Sequence, residues 1–176
     1  MFYRIRNGII IFILILAAFI LQYTVIARIP VLGCAPNLLL LLTFMFGYAR
    51  GKNAGMLVGF FAGLLVDIFF CSVIGFHALI YLIIGFVNGR WNKYFYSNVL
   101  YIPLVLLLCS DIFYCIAYFF FFYVLKGTFA FGYVLVHIMA PELLLTFIAG
   151  LILFKPLKFM IGKMYMYYDD EEREEV

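Results

Sequence analysis

The chain has 176 residues, of which 68% are hydrophobic and 12% are charged. Soluble domains are usually about 45–50% apolar and about 25% charged, so this composition indicates a polytopic membrane protein and excludes an ordinary soluble domain. A membrane-spanning helix takes ~20 residues, so six spans would use most of the chain and leave only short loops and a tail.

The first predicted element is an uncharged run, residues 7–27, that follows Arg4 and Arg6. A signal peptide has an apolar region of about 7–15 residues and a cleavage site flanked by small residues. This run is longer and lacks a convincing cleavage site. We therefore predict an uncleaved first membrane span.

Six apolar stretches predict membrane spans, at about 9–27, 37–49, 54–71, 75–89, 99–123 and 133–154. If the N-terminus is cytoplasmic and each stretch crosses once, ten of the twelve Lys and Arg residues lie inside; only Arg28 and Lys126 lie outside. This asymmetry matches the positive-inside rule. The predicted fold is all-α: a polytopic membrane protein with six transmembrane helices and both termini cytoplasmic.

The second, third and fourth spans have distinctive boundaries. The second span follows Pro30, Gly33 and Pro36, which predicts entry into the membrane through a broken, extended segment. The third and fourth spans share only the stretch between Lys52 and Arg90, and a tight outer turn is expected at residues 72–75. These two spans are therefore predicted to form a compact helical hairpin.

The C-terminal region changes character after the last span. Residues 1–154 are predicted to form the transmembrane domain, and residues 155–176 an interfacial basic segment followed by an acidic cytoplasmic tail. Residues 169–175 hold six acids and one arginine. A charge run of this kind is usually only solvated, and the alternative is a soft contact for a basic cytoplasmic partner.

Glycine recurs every four residues before and through the third span, and the next step of four reaches an acid: Gly47, Gly51, Gly55, Gly59, Gly63 and Asp67. Gly85 and Gly89 repeat the spacing in the fourth span. Glycine destabilises helices in water by roughly 1 kcal/mol, but in lipid small residues let helix backbones approach closely. Two interpretations stay open: internal helix packing, or a groove that docks a partner's membrane helix.

Three acids lie outside the tail, and all three fall inside predicted spans that hold no Lys or Arg: Asp67, Asp111 and Glu142. An ionised carboxylate facing lipid is destabilising by a few kcal/mol or more. Asp111 and Glu142 fall near the middle of antiparallel spans and could share one proton. Asp67 could hydrogen-bond His77 across the tight turn, and His137 is predicted to be a further buried polar residue. Mutual hydrogen bonding, a proton or ion path, and partner contact are the three interpretations.

The sequence argues against an enzyme. It contains no phosphate-binding loop, no nucleophile motif beside a histidine and no metal-ligand cluster. The cysteines, Cys34, Cys71, Cys109 and Cys115, are expected to be small apolar helix residues. Cys34 and Cys71 could meet on the outer side, but sequence alone does not support a disulfide. We predict no catalytic residue, metal, cofactor or nucleic-acid partner.

The sequence resembles the bacterial rod shape-determining protein MreD family. The resemblance rests on Pro36-Asn37-Leu38-Leu39-Leu40, then on the spaced residues from Gly55 to Asp67, and then on Gly75-x2-Ala78-Leu79 and Gly85. Length, topology and the short tail agree with it. The match is most specific over residues 36–89, and beyond residue 90 it is mainly one of hydropathy.

The resemblance implies a non-enzymatic subunit of the cell-elongation machinery in the bacterial inner membrane. Such proteins associate with MreC, a single-span partner, and through it with MreB, RodA and a class B transpeptidase involved in peptidoglycan synthesis. The family is also distantly similar in fold to substrate-binding membrane components of vitamin transporters. A small-molecule transport subunit is therefore the alternative function.

Overall fold

The computed structural model describes residues 2–25, 35–71, 73–95, 101–124 and 131–174. These ranges are helical almost throughout and contain no β-strand. The helices, in chain order, are α1 Phe2–Ile20, α2 Leu38–Arg50, α3 Lys52–Phe70, α4 Phe76–Gly89, α5 Tyr101–Phe119, α6 Phe131–Val134 and α7 Ala140–Glu174. Wider π-helical turns follow α1 (Leu21–Val25) and α5 (Phe120–Val124) and join α6 to α7 (Leu135–Met139).

Four helical segments of the described chain are long and apolar enough to cross a membrane: Arg6–Thr24, Lys52–Phe70, Tyr101–Tyr123 and Gly132–Gly162. Two further apolar helices, α2 and α4, are shorter. The predicted all-helical membrane class is confirmed. The count of six crossings and the cytoplasmic position of both termini stay predictions.

Helix α2 lies at the centre of the molecule. All its residues from Leu38 to Ala49 are buried, and it packs against α1, α3, α4, α5 and α7. Its 13 residues rise about 20 Å, which is less than the ~30 Å of a bilayer's hydrocarbon core. One end of α2 therefore lies inside the protein, which agrees with a broken entry; Pro30 and Gly33 lie outside the described residues.

Helices α3 and α4 form the predicted hairpin, and they make the most extensive helix pair in the structure. Gly75 begins α4 with a φ of 106°, a left-handed conformation that glycine adopts without strain. Gly51, with a φ of 83°, joins α2 directly to α3. The three helices thus form one compact unit with two tight connections.

Helix α7 is continuous from Ala140 to Glu174 and contains Pro156. The boundary expected between residues 154 and 155 falls inside this helix, so the backbone does not change there. The side chains of the acidic run lie outside the described residues. It stays a proposal that residues 1–154 lie in the membrane and that residues 155–176 lie at its interface and in the cytoplasm.

Candidate functional site

The regularly spaced glycines face neighbouring helices of the same chain. A Cβ atom added to Gly59 would strike the Tyr81 carbonyl and the Thr43 methyl group, and one added to Gly63 would strike the backbone of α4 at His77 and Ala78. The backbones of α3 and α4 therefore touch along this side, an arrangement that only glycine permits.

The same seam extends toward the other end of the hairpin and includes α2. Gly55 and Gly85 lie directly against each other, so that a Cβ on either one would strike the other's carbonyl group. A Cβ on Gly47 would lie 2.7 Å from the Gly85 oxygen, and one on Gly89 would strike the backbone at Lys52. The glycine seam is consequently filled by α2, α3 and α4.

At the far end of the seam, the Asp67 carboxylate caps the first turn of α4. Its Oδ2 accepts hydrogen bonds from the backbone N–H groups of Gly75 (2.9 Å) and Ala78 (3.0 Å). Its Oδ1 accepts one from the His77 backbone N–H (3.0 Å) and lies 2.9 Å from the His77 Nδ1. Because helix N-termini carry unpaired N–H groups and a partial positive charge, this fully buried carboxylate is stabilised.

The predicted hydrogen bond between Asp67 and His77 is thus present, and it continues inward. The His77 Nε2 lies 3.3 Å from the Tyr114 hydroxyl of α5. The Cys71 Sγ lies 3.2 Å from the His77 Nδ1. The imidazole therefore links the α3–α4 hairpin to α5.

Asp67, Cys71 and His77 offer donor atoms that all lie within 4.8 Å of one another, a spacing that could hold a metal ion. The carboxylate already accepts three backbone N–H groups and faces the imidazole, so a metal would compete with the helix cap. We therefore interpret these residues as a cap of the first turn of α4 and not as a metal site.

A second polar cluster surrounds the buried beginning of α2. The Asn37 Oδ1 accepts hydrogen bonds from the Leu40 N–H (3.1 Å) and from the Tyr81 hydroxyl of α4 (2.8 Å). The Asn37 backbone N–H donates to the Thr146 Oγ1 of α7 (3.0 Å). Gln22, just after α1, accepts the Leu39 N–H through its Oε1 (3.1 Å).

This cluster satisfies the N–H groups that a helix leaves unpaired at its first turn. The N–H of Leu38 donates to the Pro36 carbonyl and that of Leu41 to the Asn37 carbonyl, both at 3.1 Å. Those of Leu39 and Leu40 are bonded by side chains as described above. A helix end without water needs such partners, so three other helices hold α2 at a fixed depth.

The two remaining acids of the predicted spans lie beside this cluster. Asp111 on α5 is buried as predicted, whereas Glu142 is only partly buried. Asp111 lies beside the Thr146 side chain and interacts electrostatically with Glu142. The Glu142 side chain lies beside Asn37. The Asp111 Oδ1 has no hydrogen-bond partner within the described part of the chain. The sequence placed Asp111 and Glu142 near each other, and the structure groups both around Thr146 and Asn37.

Neutral polar residues to which the sequence analysis assigned no buried role make many of the hydrogen bonds in the interior. Besides Asn37, Gln22 and Thr146, the Asn88 Nδ2 donates to the Ser110 Oγ of α5 (2.7 Å), and the Asn92 Nδ2 donates to the Tyr48 carbonyl at the end of α2 (3.1 Å). These residues could have been found in the sequence as isolated amides or hydroxyls within long apolar runs, because such a group needs a hydrogen-bond partner in lipid.

The predicted burial of His137 is wrong. His137 is exposed, its ring stacks on Tyr133 at a centroid distance of 4.6 Å, and its Nδ1 lies 3.3 Å from the Tyr133 carbonyl. The buried side of this segment is formed by Val134 and Met139. The π-helical turn Leu135–Met139 changes which residues face inward, and a regular helical period cannot anticipate that change.

The fold and this interior define a helical membrane protein whose core is a glycine-packed hairpin bound to a short buried helix. The chain belongs to the MreD family, because a family model described as "rod shape-determining protein MreD" matches residues 3–164. The resemblance found in the sequence is thereby confirmed. Comparison with curated proteins and with solved structures gives no significant match.

Family membership makes the chain a membrane protein of rod-shape determination. The family is a structural, shape-determining one. Its membership and the apolar helices indicate a bacterial inner-membrane protein. The family belongs to the rod-shape complex with MreC and MreB. The alternative of a small-molecule transport subunit is not supported.

Proposed function

We propose that this chain is a non-enzymatic, multi-pass subunit of the cell-elongation complex that docks a single-span MreC-like partner through its membrane helices. The family match over residues 3–164 carries this proposal. Through that partner the chain would reach MreB, RodA and a class B transpeptidase. Both termini would lie in the cytoplasm, in keeping with the positive-inside distribution of Lys and Arg.

Docking would use an outer helix face, because the glycine seam is filled by the chain's own helices. We assign the seam, with Asp67 at its end, to internal packing. The opposite side of the α3–α4 hairpin carries large exposed apolar side chains: Leu57, Phe60, Phe61, Ile68, Leu79 and Ile83. In a membrane, such a face contacts lipid or a partner's helix.

A rigid docking platform suits the way the interior polar groups are used. Asp67 bonds the first turn of α4, and Asn37 bonds both the first turn of α2 and Thr146. Of the two described cavities, one lies between α1 and α3 and the other between α5 and α7, and neither is lined by these three residues. An assembly of paired groups supports a fixed shape, which a scaffold needs.

Site-specific photo-crosslinking in native membranes tests the proposal. A photoreactive residue would be placed at exposed positions on separate faces: Phe60 and Leu79 on the hairpin, Val105 and Ile116 on α5, and Ile148 and Ile152 on α7. We expect one face to capture a single-span protein that mass spectrometry identifies as MreC-like. Buried Ala62 and Leu107 are the matched controls and should capture no other chain.

The outcome separates the two functions. Capture of an MreC-like protein on one face supports docking through membrane helices. Capture of an ATPase-coupled transport partner would favour a transport subunit, and the absence of any crosslink on all three faces would overturn docking through membrane helices.

A further inference from the structure

A groove of about 530 Å³ runs between α1 and α3 and lies apart from the buried polar clusters. Its walls are mainly apolar along most of its length, formed by Ile11, Phe12, Ile15, Leu57, Val58 and Phe61. Phe12 and Leu57 are more than half exposed, at 52% and 60%, so the groove opens sideways toward the surrounding lipid.

One end of the groove is polar. Asn7 of α1, Arg50 at the end of α2 and Asn53 in the first turn of α3 line it there. Asn7 is 8% exposed, so its amide belongs to the wall of the groove. The residues that line the groove include no acid. Arg6 and Lys52, both exposed, add positive charge near this end.

The polar end coincides with the membrane boundary of the neighbouring helices. Lys52 begins the apolar segment of α3, and Arg6 begins that of α1. The apolar walls then continue inward along α3 from Leu57 to Phe61. The groove is thus lined by cationic and amide groups at the interface and by apolar side chains deeper in the membrane. A phospholipid has the same order, with a polar headgroup at the interface and apolar acyl chains below it.

We propose that this groove binds an anionic phospholipid of the inner leaflet. Its phosphate lies against Arg50, Asn7 and Asn53, and one acyl chain lies between α1 and α3. An arginine guanidinium and amide N–H groups are suitable donors to phosphate oxygens. Anionic headgroups gain the additional attraction of the surrounding Lys and Arg residues.

Charge and side-chain size favour a lipid over the membrane helix of a partner. Single-span proteins carry basic residues on the cytoplasmic flank of their helix, and these would be repelled where Arg50 and Lys52 lie. Close helix docking also favours walls of small residues. Only Gly8 and Ala54 of the groove are small, whereas the rest of its apolar wall is built of Ile, Leu, Val and Phe.

Native mass spectrometry of the purified full chain tests the proposal. The protein would be reconstituted with equal mole fractions of phosphatidylglycerol and phosphatidylcholine, and the lipids retained after transfer would be counted. We expect retention of phosphatidylglycerol in preference to phosphatidylcholine. Arg50→Gln should lower that preference about fivefold, the effect of one surface charge near an anionic lipid. Arg90→Gln, which changes an exposed arginine outside the groove, should leave it unchanged.

A second pair of variants tests the acyl-chain part of the groove. A Cβ on Gly8 or on Gly162 meets no atom within 4 Å, so both positions accept a larger side chain. Gly8→Trp places an indole at the groove and should abolish retention of the preferred lipid. Gly162→Trp, on α7 and outside the groove, is the matched control and should retain it. Asn53→Leu replaces an exposed amide and serves as a second headgroup variant should Arg50→Gln fail to accumulate.

Three results would overturn the proposal. The first is equal retention of the two lipids by the parent protein. The second is an effect of Arg90→Gln as large as that of Arg50→Gln or Asn53→Leu, which would reflect general surface charge. The third is unchanged lipid retention in Gly8→Trp; if this variant also failed to co-purify with a single-span protein, the groove would hold a partner's helix instead.

Discussion

The Asp67 Oδ1 accepts the backbone N–H of His77 at 3.0 Å and lies 2.9 Å from the Nδ1 of the same residue. With the carboxylate ionised, the Nδ1 is the donor in the second contact. One acid on α3 therefore fixes both the first turn and the side chain of a residue on α4. This pairing sets the end of the hairpin that the glycine seam holds together along its length.

Asp67→Asn should destabilise the protein. The amide keeps one acceptor oxygen, but its NH₂ group faces two of the N–H groups whose hydrogen bonds the carboxylate now accepts. Each buried N–H left without an acceptor is destabilising by about 1–3 kcal/mol. We expect the melting temperature in detergent to fall by roughly 5 °C or more.

The matched control for this change is Asp111→Asn, which replaces another buried acid by the same amide. Its Oδ1 lacks a partner among the described atoms, so fewer hydrogen bonds are at stake. A melting temperature for Asp67→Asn equal to that of the parent would show that the cap contributes little to stability.

Thr146→Val should destabilise the protein by removing the hydrogen bond that joins α7 to the buried end of α2. The substitution preserves shape but leaves the Asn37 N–H without the acceptor it now has at 3.0 Å, at a loss of about 1–3 kcal/mol. Thr43→Val is the control, because the buried Thr43 hydroxyl donates only within its own helix, to the Leu39 carbonyl. Thermal unfolding should distinguish the two, and equal effects would contradict the role given to Asn37.

The parts of the fold that depend on local spacing could be predicted from the sequence. Glycine recurs every four residues along α3, and an acid occupies the next step of four. A histidine follows ten residues later, so the acid and the histidine lie on facing sides of one hairpin. The hydrogen bond that Asp67 accepts from His77 follows from that geometry. The short second span was likewise visible in its flanking prolines.

Apart from the proximity of Asp111 and Glu142, contacts between distant segments could not be predicted. Asn37 and Thr146 are 109 residues apart, and apolar periodicity gives no relative rotation for the helices that carry them. Gln22 could not be paired with the start of α2 for the same reason. His137 was placed wrongly because a π-helical turn changes the residues that face inward.

Asp111→Asn and Glu142→Gln should both insert and assemble, with melting temperatures within about 2 °C of the parent. If these groups are largely neutral and hydrogen-bonded, each amide keeps the shape and the lack of charge of the acid that it replaces. A buried oxygen without a partner, such as the Asp111 Oδ1, is tolerated far better on a neutral group than on an ion. Thermal stability and complementation of cell shape are the measurements. Complete loss of function with normal assembly would favour a proton or ion path.

Thiol labelling tests the six-span topology. In a cysteine-free background, a single cysteine at Arg28 or Lys126 should react from outside with an impermeant reagent, whereas one at Lys52, Lys93 or Lys158 should not. The expectation follows from the positive-inside distribution. Outside labelling at Lys93 would exclude the six-span arrangement, because the parity of the loops fixes the others.

Gly59→Leu and Gly63→Leu should prevent normal accumulation of the protein. A Cβ at either position already strikes the backbone of α4, which cannot move aside as a flexible side chain does. Gly162→Leu is the control, because its Cβ meets nothing within 4 Å. Membrane fractions quantified by immunoblot should show the control at the parental level and both seam variants strongly depleted.

The same variants decide between the two roles considered for the glycines. If the seam is internal packing, the leucine variants are depleted from the membrane. Rod-shaped cells that depend on this protein then round up because the protein is missing, not because it fails to bind its partner. If the seam instead receives a partner's helix, the protein accumulates normally but fails to co-purify with a single-span MreC-like protein. Because α2 and α4 already occupy the seam, we expect the first result. Normal accumulation, co-purification and cell shape in both leucine variants would contradict either role.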